Sequence, residues 1–550
     1  MTDRARRRLL LLGLLVMGVI IFGAGINWGL PSLDYNSILV GSHGIALEAA
    51  AARLPNLKQD APADVVPDSP LEQTQVVPLN QNYAQAARIL CRYRLYSAQP
   101  DEMITFRSLA QMNPAQGEFD PHLYQYGGLW IYPIGAIIDL AGKFGILDVG
   151  GREVYLADPS MFGRFYIIAR AYSLLWGLIG IAAVFAIARR MTGGTFLPAV
   201  AAAIFIVMPA VVDLSHEAKP HLAGAVLILL AALAGGRFIE TGKIAWAILT
   251  GILCGAAAGM VLWAAVALAI IPVMALRARA ANTQKITAAS VATLAAVILF
   301  AVTNPYFIYH LFHNPAVLHE NLSNTGAMYH LGLSLNGLCL MAVGASPLLL
   351  IAGFLGLAVA THKPHPDAEG IGLLLAAPAI LVAVPFFLLA TGKPGEYARF
   401  AVFPDVALAI AAVIALSRLK TSRFVLPILA AVLWITTALY GSAYLSGFVH
   451  DNPSNPDSQR ALAAQKLQDI LAQHTTRPTL GVYADPAPYC LPPLNLIDWK
   501  ILHLPPDYTR QQALQAAEVV AIPVSSINPL DWTQTPMSWA NHPFDIEVRQ

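Results

Sequence analysis

Two adjacent carboxylates, Asp101 and Glu102, stand in the stretch Gln99-Pro100-Asp101-Glu102, between the first and second long apolar runs of the chain. Carboxylates beside an apolar membrane face are costly unless they accept protons or hydrogen bonds or bind a metal. A carboxylate so placed can take the proton of an attacking hydroxyl, or orient that hydroxyl, in a group-transfer reaction. The same residues also read as a helix start, because Pro, Asp and Glu all favour a first helical turn. On the residues alone both readings stay open.

The elements that position this pair can be read from composition. Hydrophobic residues make up 56% of 550 and charged residues 12%, with a mean hydropathy of +0.57. A chain so poor in charge is a multi-span membrane protein. The net charge of +1 gives no basis for a nucleic-acid partner. No GxxxxGK[ST] loop occurs, which argues against an ATP-driven pump.

Spans of about 20 apolar residues are expected at 8–29, 164–188, 194–214, 219–236, 243–260, 262–277, 286–303, 336–360, 370–391, 398–417 and 424–446. With Arg4, Arg6, Arg7 and Arg8 inside, alternation also puts Arg189/Arg190, Arg237/Lys243, Arg277/Arg279/Lys285, His362/Lys363 and Arg418/Lys420/Arg423 inside, as the basic-loop rule requires. The expected protein is thus an all-α polytopic protein of the inner (cytoplasmic) membrane, with about 11 transmembrane helices, its N-terminus in the cytoplasm and its C-terminus outside. Residues 129–147 are apolar but hold Pro133, Asp139 and Lys143. Counting them as a span would move every later basic loop to the wrong side, so they read as an interfacial helix. The first run also fits a signal peptide, but it is long and lacks a small-x-small cleavage site, so an uncleaved helix is expected.

Four parts result: a first transmembrane helix over 1–29, an outer loop over 30–163, a multi-span region over 164–446 and an outer domain over 447–550. In the last, SQRALAAQKLQDILAQH has helical periodicity while TLGVYA and EVVAIPV read as short buried strands, a small α/β domain. Cys254 and Cys339 fall inside apolar runs and read as fillers. Cys91 and Cys490 fall outside, where a disulfide is open to them. Outer histidines His216, His221, His310, His313, His319 and His330 leave a divalent metal open as a cofactor, although none is assigned as a ligand.

The acidic stretch and the residues C-terminal to it resemble the GT-C superfamily of polyprenyl-phosphate-sugar-dependent glycosyltransferases, in the branch of the protein O-mannosyltransferases and aminoarabinose transferases. The matching elements keep their order: Gly29-Leu30-Pro31, Gln99-Pro100-Asp101-Glu102, Phe119-Asp120-Pro121-His122, Tyr126-Gly127-Gly128-Leu129-Trp130-Ile131-Tyr132, Ser215-His216-Glu217-Ala218-Lys219, and Tyr397-Ala398-Arg399-Phe400 with Pro404. They cover about residues 25–420. The resemblance implies an inverting transfer of one sugar from a polyprenyl-phosphate donor to a protein, lipid or glycan acceptor on the outer face, amid membrane lipids. Asp101 would be the base and Glu102 its helper. Arg399, Lys393, Lys219 and the deeper Arg170 would meet the donor phosphate. Tyr126, His216, Glu217 and Tyr397 would line the substrate site.

Two departures matter. About 70 residues separate Gly29 from the acidic pair, farther than is usual in the family, so Asp34 is a rival for Asp101. The family's Asp after the Ser-His turn is His221 here. A transporter or flippase is the reading from another class, and it would show polar or Pro-broken spans paired between two halves; none is expected from the pattern. A scaffold without activity is a third. The topology is directly testable. Reporter fusions after residue 30, near 320 and at the C-terminus are expected to report outside, and those near 190, 280 and 363 inside. An outside signal at 190 would put residues 129–147 across the bilayer.

Overall fold

In the computed structural model of the protein the described residues are 3–35, 38–39, 49, 52, 74–99, 101–326, 335–362, 366–391, 393–419, 424–452, 454–483, 491–524 and 528–549. Helix α1 (Asp3–Gly23) opens on its arginines and runs into an apolar stretch. Helices α2 (Tyr83–Leu95), α3 (Glu102–Gln111) and α4 (Gly128–Lys143) come next, in the first loop. The expected helix near 129–147 is α4. At 16 residues it is about 24 Å long, short of a hydrocarbon core of about 30 Å.

The apolar helices are α5 (Pro159–Thr192), α6 (Phe196–Val207), α7 (Pro209–Ser215), α8 (His221–Thr241), α9 (Ile244–Met260), α10 (Ile270–Arg277) and α11 (Asn282–Thr303). After α12 (Pro305–His313) and α13 (Pro315–Gly326) come α14 (Asn336–Ala345), α15 (Pro347–His362), α16 (Pro366–Leu389), α17 (Val402–Arg418) and α18 (Val425–His450). Among the described residues six helices are long and apolar enough to cross a membrane, or up to eight if each bent pair is one span. The protein is a multi-pass membrane protein.

Two expected spans are broken. Helices α6 and α7 meet at 58°, and α14 and α15 at 103°. Each break precedes a proline, Pro209 or Pro347, which lacks the N–H needed to continue the helix. Residues 262–277 are not one helix either: a 3-10 segment, Leu262–Ala269, leads into the eight-residue α10.

Outside the bundle, the tail forms α19 (Gln459–Ala472), α20 (Arg510–Ala516) and a sheet of β2 (Thr479–Val482), β3 (Lys500–His503), β4 (Val519–Pro523) and β5 (Phe544–Val548). A two-residue strand from the first loop, β1 (Val77–Pro78), completes the order β1-β3-β2-β4-β5. The β2–β3 and β2–β4 pairs are parallel and the edge pairs antiparallel. Asn80 fastens the edge: its Nδ2 donates to the carbonyls of Leu496 and Trp499, and its Oδ1 accepts from Ile501 N. First loop and tail thus share one sheet.

Small residues set the approach of α9 and α11. A Cβ at Gly251 would strike the carbonyl of Ala292, and one at Gly255 that of Ala296. This small-xxx-small seam lets two backbones touch. It continues through Gly259 to Gly127, where the chain enters α4 and Tyr126 bridges Val261. Gly251→Leu is expected to destabilise the protein by about 2 kcal/mol or more, read as a lowered Tm in detergent. An unchanged Tm would mean that the seam is not tight.

Candidate active site

Asp101 is the residue before α3, yet its side chain makes no capping hydrogen bond to that helix. The helix-start reading accounts for its position and not for its carboxylate. That carboxylate turns to two cations. Oδ2 lies 3.2 Å from Lys219 Nζ and 2.9 Å from Arg399 Nη2. Lys219, on the turn between α7 and α8, also meets Glu217 Oε2 at 3.1 Å. Gln99 links the two segments, accepting from Asp101 N at 2.8 Å and donating to Glu217 Oε1 at 2.7 Å.

Burial alone would raise the Asp101 carboxyl. The charges of Lys219 and Arg399 outweigh it and hold the group well below the usual carboxylate range. Lys219 shifts the opposite way: burial and Arg399 disfavour its charge, but Glu217 and Asp101 prevail and raise it. Burial raises Glu217, against the opposing pull of Lys219. A side-chain exposure of 25% leaves Asp101 reachable, whereas Lys219 and Glu217 are at 1%.

Arg399 sits in a 3-10 turn, Gly395–Ala401, ahead of α17. Its guanidinium carbon lies 5.0 Å from the Phe400 ring centre and 5.9 Å from that of Tyr397. Its Nε and Nη1 make no hydrogen bond among the described residues, although both are buried. A guanidinium with spare donors is a ready partner for a tetrahedral anion. Lys393 lies 5.3 Å from the Tyr397 ring. The Tyr397 and Phe400 rings also line a cavity of about 260 Å³, together with Trp263, Val266, Leu381, Pro385 and Phe386.

The other expected site residues are placed differently. Glu102 is fully buried and grips Arg170 with two bonds of 2.8 Å. It also accepts from Ser97 Oγ and Ala218 N. Arg170 Nη1 donates to the carbonyls of Ile26 and Trp28. Neither side chain touches solvent, so Glu102 as a helper base and Arg170 as a phosphate ligand give way to a structural ion pair. His216 is likewise enclosed, between the carbonyls of Val212 and Ala24 and stacked on Phe448. Tyr126 is buried, and burial with the nearby Asp101 charge raises its hydroxyl.

Asp34, the rival of Asp101, bonds only to the hydroxyls of Ser32 and Ser454 among the described residues. His221 was marked by its departure from the family pattern. It accepts from the Trp263 indole at 2.9 Å and meets Tyr126 and Phe400 edge-on. Glu396, 3.9 Å from Arg399, was missed, though the three-residue spacing in Gly395-Glu396-Tyr397-Ala398-Arg399 is a visible signal.

A divalent metal fits this site poorly. Among the described residues no three His, Cys, Asp or Glu side chains are grouped to hold one. Lys219 and Arg399, both cations, already stand against Oδ2 of Asp101. His310 pairs with Asp120 at 2.8 Å while His313 stacks on Tyr309. Cys91 is buried in α2, and its expected partner Cys490 lies outside the described residues, as do His330 and Pro100.

No family model and no curated protein matches the chain. Among solved structures it is similar to ArnT from Cupriavidus metallidurans bound to undecaprenyl phosphate, at 17% identity over 70% of this chain and 71% of that one, with a TM-score of 0.40. It is also similar to the archaeal oligosaccharyltransferase AglB from Archaeoglobus fulgidus, in complex with an inhibitory peptide and a dolichol-phosphate, at 12% identity over 82% and 64% of the two chains, with a TM-score of 0.39. Both are GT-C glycosyltransferases. Likeness at this level carries no inference about activity.

The Glu102–Arg170 pair separates support from chemistry. Removing one member strands the other as a buried charge, at a cost of about 3–5 kcal/mol. Arg170→Ala is expected to abolish accumulation of folded protein, whereas Arg399→Ala should elute as a single folded species from a sizing column. A folded Arg170→Ala with wild-type Tm would overturn the structural assignment.

Proposed function

We propose that the protein is a membrane glycosyltransferase. It moves one sugar from a polyprenyl-phosphate donor to an acceptor hydroxyl at the outer face of the inner membrane, with Asp101 as the base. One observation carries this reading: a quarter-exposed carboxylate is clamped by two cations, one of which has spare buried donors and lies beside Tyr397 and Phe400, two rings that line an apolar cavity. That is the complement of a substrate with a prenyl chain, a phosphate and a sugar in sequence.

The prenyl chain lies against Trp263, Pro385 and Phe386. The phosphate takes the free Nε and Nη1 of Arg399, with Lys219 and Lys393 as point charges. The acceptor oxygen attacks the anomeric carbon as the bond to phosphate oxygen breaks. The hydroxyl proton passes to Asp101, and the phosphate leaves with its charge on Arg399 and Lys219. With Glu102 sealed against Arg170, no second carboxylate of the motif is free to act as a nucleophile. The outcome is a single displacement, with inversion.

Binding also tunes the base. Both cations depress Asp101, which makes it a poor proton acceptor. A donor phosphate draws those cations toward itself and restores basicity to Asp101. Proton abstraction is thereby tied to donor occupancy.

The transporter reading gains one observation, the broken helices α6–α7 and α14–α15. Near the second break lies Asp405, fully buried on α17 with no hydrogen bond to either oxygen among the described residues. The transferase reading is preferred because it also accounts for the two cations on Asp101.

The test is transfer from a synthetic polyprenyl-phosphate sugar by purified protein. Asp101→Asn keeps shape and removes basicity, and is expected to lower the rate by about two orders of magnitude or more. Arg399→Lys keeps charge and loses the two-pronged geometry, so it should weaken donor use without unfolding. Full activity in Asp101→Asn with a dead Asp34→Asn would give the role to Asp34. Unchanged donor kinetics in both Arg399→Lys and Arg399→Ala would make Arg399 a headgroup anchor.

A further inference from the structure

On the outer side of the bundle a second cavity, of about 650 Å³, opens between the end of α18, the start of α19 and the tail segment 532–543. Its size falls within the roughly 300–1,000 Å³ of small-ligand sites. Its chemistry is unlike that of the catalytic site. Among the described residues no Asp, Glu, Lys or Arg lines it. Burial, aided by the Arg460 charge, pushes His542 down to about 4, which leaves that ring neutral. A phosphate, a carboxylate or an ammonium group would find no counter-charge.

What the cavity offers is an aromatic plane and uncommitted hydrogen-bonding groups. Trp532 is 47% exposed. Its indole N–H, the Gln459 amide, the Thr535 hydroxyl and Asn541 Nδ2 make no hydrogen bond among the described residues. Asn541 is fixed in place. It takes a left-handed φ of 49°, which Asn tolerates. Its Oδ1 accepts from Gln459 N and its own N donates to Asp451 Oδ2, each at 2.8 Å. Its amide nitrogen is left to donate. Amides and hydroxyls beside an exposed indole complement a polyol ring, with its hydroxyl edge and its C–H face.

The segment that walls this cavity also reaches the catalytic site. A Cβ at Gly395 would strike the Pro536 carbonyl. The Trp539 indole donates to Glu396 Oε2 at 3.3 Å, and that same oxygen is 3.9 Å from Arg399. Residues 535–541 are therefore a strap with the cavity on one side and the Arg399 turn on the other.

We propose that this cavity is a saccharide subsite that holds a neutral, already assembled part of a glycan acceptor. Its use in transfer rests on the glycosyltransferase reading; saccharide binding itself does not.

Calorimetry on the full chain in lipid nanodiscs, free of glycoside detergent, tests it. The probes are mannotriose, maltotriose and cellotriose, with trialanine as the peptide alternative. At least one trisaccharide is expected to bind, and Trp532→Ala and Asn541→Asp should each weaken it about tenfold. Trp532→Phe should retain most of the binding, and it also covers the case in which Trp532→Ala fails to fold. Asp101→Asn should bind as the wild type does. The proposal falls if none of the three binds, if the Trp532→Ala and Asn541→Asp variants bind as the wild type does, or if trialanine binds in their place. An active Asp101→Asn alongside Trp532-dependent saccharide binding would sink the transferase reading and leave the subsite standing.

Discussion

The buried pair of Glu102 and Arg170 is the constraint on which the rest of the site depends. Desolvating two charges is repaid only when nearly every lone pair and N–H finds a partner. Here Glu102 accepts from Arg170 twice, from Ser97 and from Ala218, while Arg170 also donates to the carbonyls of Ile26 and Trp28. Four segments meet at this knot: the exit of α1, the turn before α3, helix α5 and the turn after α7. None can shift without stranding a charge. Asp101 is the neighbour of Glu102, and Lys219 the neighbour of Ala218. Locking Glu102 onto Ala218 N therefore also brings Asp101 and Lys219 together, at 3.2 Å.

Two adjacent carboxylates thus do different work because their surroundings differ. Glu102 has its charge matched by one guanidinium and is closed to solvent. Asp101 faces two cations and remains a quarter exposed. Around it Asp101, Glu217, Lys219 and Arg399 balance in charge, but they do not balance in hydrogen bonds. The spare donors belong to Arg399. An incoming anion therefore gains partners that the protein itself does not supply.

Much of this was legible in the sequence. Apolar runs gave the helices, because a membrane demands length and hydropathy that few other contexts do. TLGV and VVAIP gave β2 and β4 by their short apolar pattern. The motif resemblance named Asp101, Lys219 and Arg399, which the fold brings within 3.2 Å across 298 residues of chain. The division between Asp101 and Glu102 was not legible, since neighbours share every sequence property except the direction they face. Arg170 sits in an apolar run, and its depth alone does not tell a phosphate ligand from a buried partner. β1 is two residues long, too short for any pattern. The Asp120–His310 contact spans 190 residues with no periodicity to mark it.

The Arg399 turn shows how both ends of the chain enter one site. A 3-10 segment has poorer hydrogen-bond geometry than an α-helix and holds its side chains loosely by itself. Arg399 is instead fixed from outside: by Asp101 in front, by the rings of Tyr397 and Phe400 beneath, and by Glu396 beside it. Glu396 is in turn held by Trp539 of the tail. On the proposed function, a group that releases a carboxylate and receives a phosphate needs this arrangement. A rigid helix would keep the guanidinium on Asp101, and an unsupported loop would lose it to solvent. The tail domain, joined to the first loop through β1 and Asn80, supplies the support that the turn lacks, and this gives a physical reason for residues so far apart to share one fold.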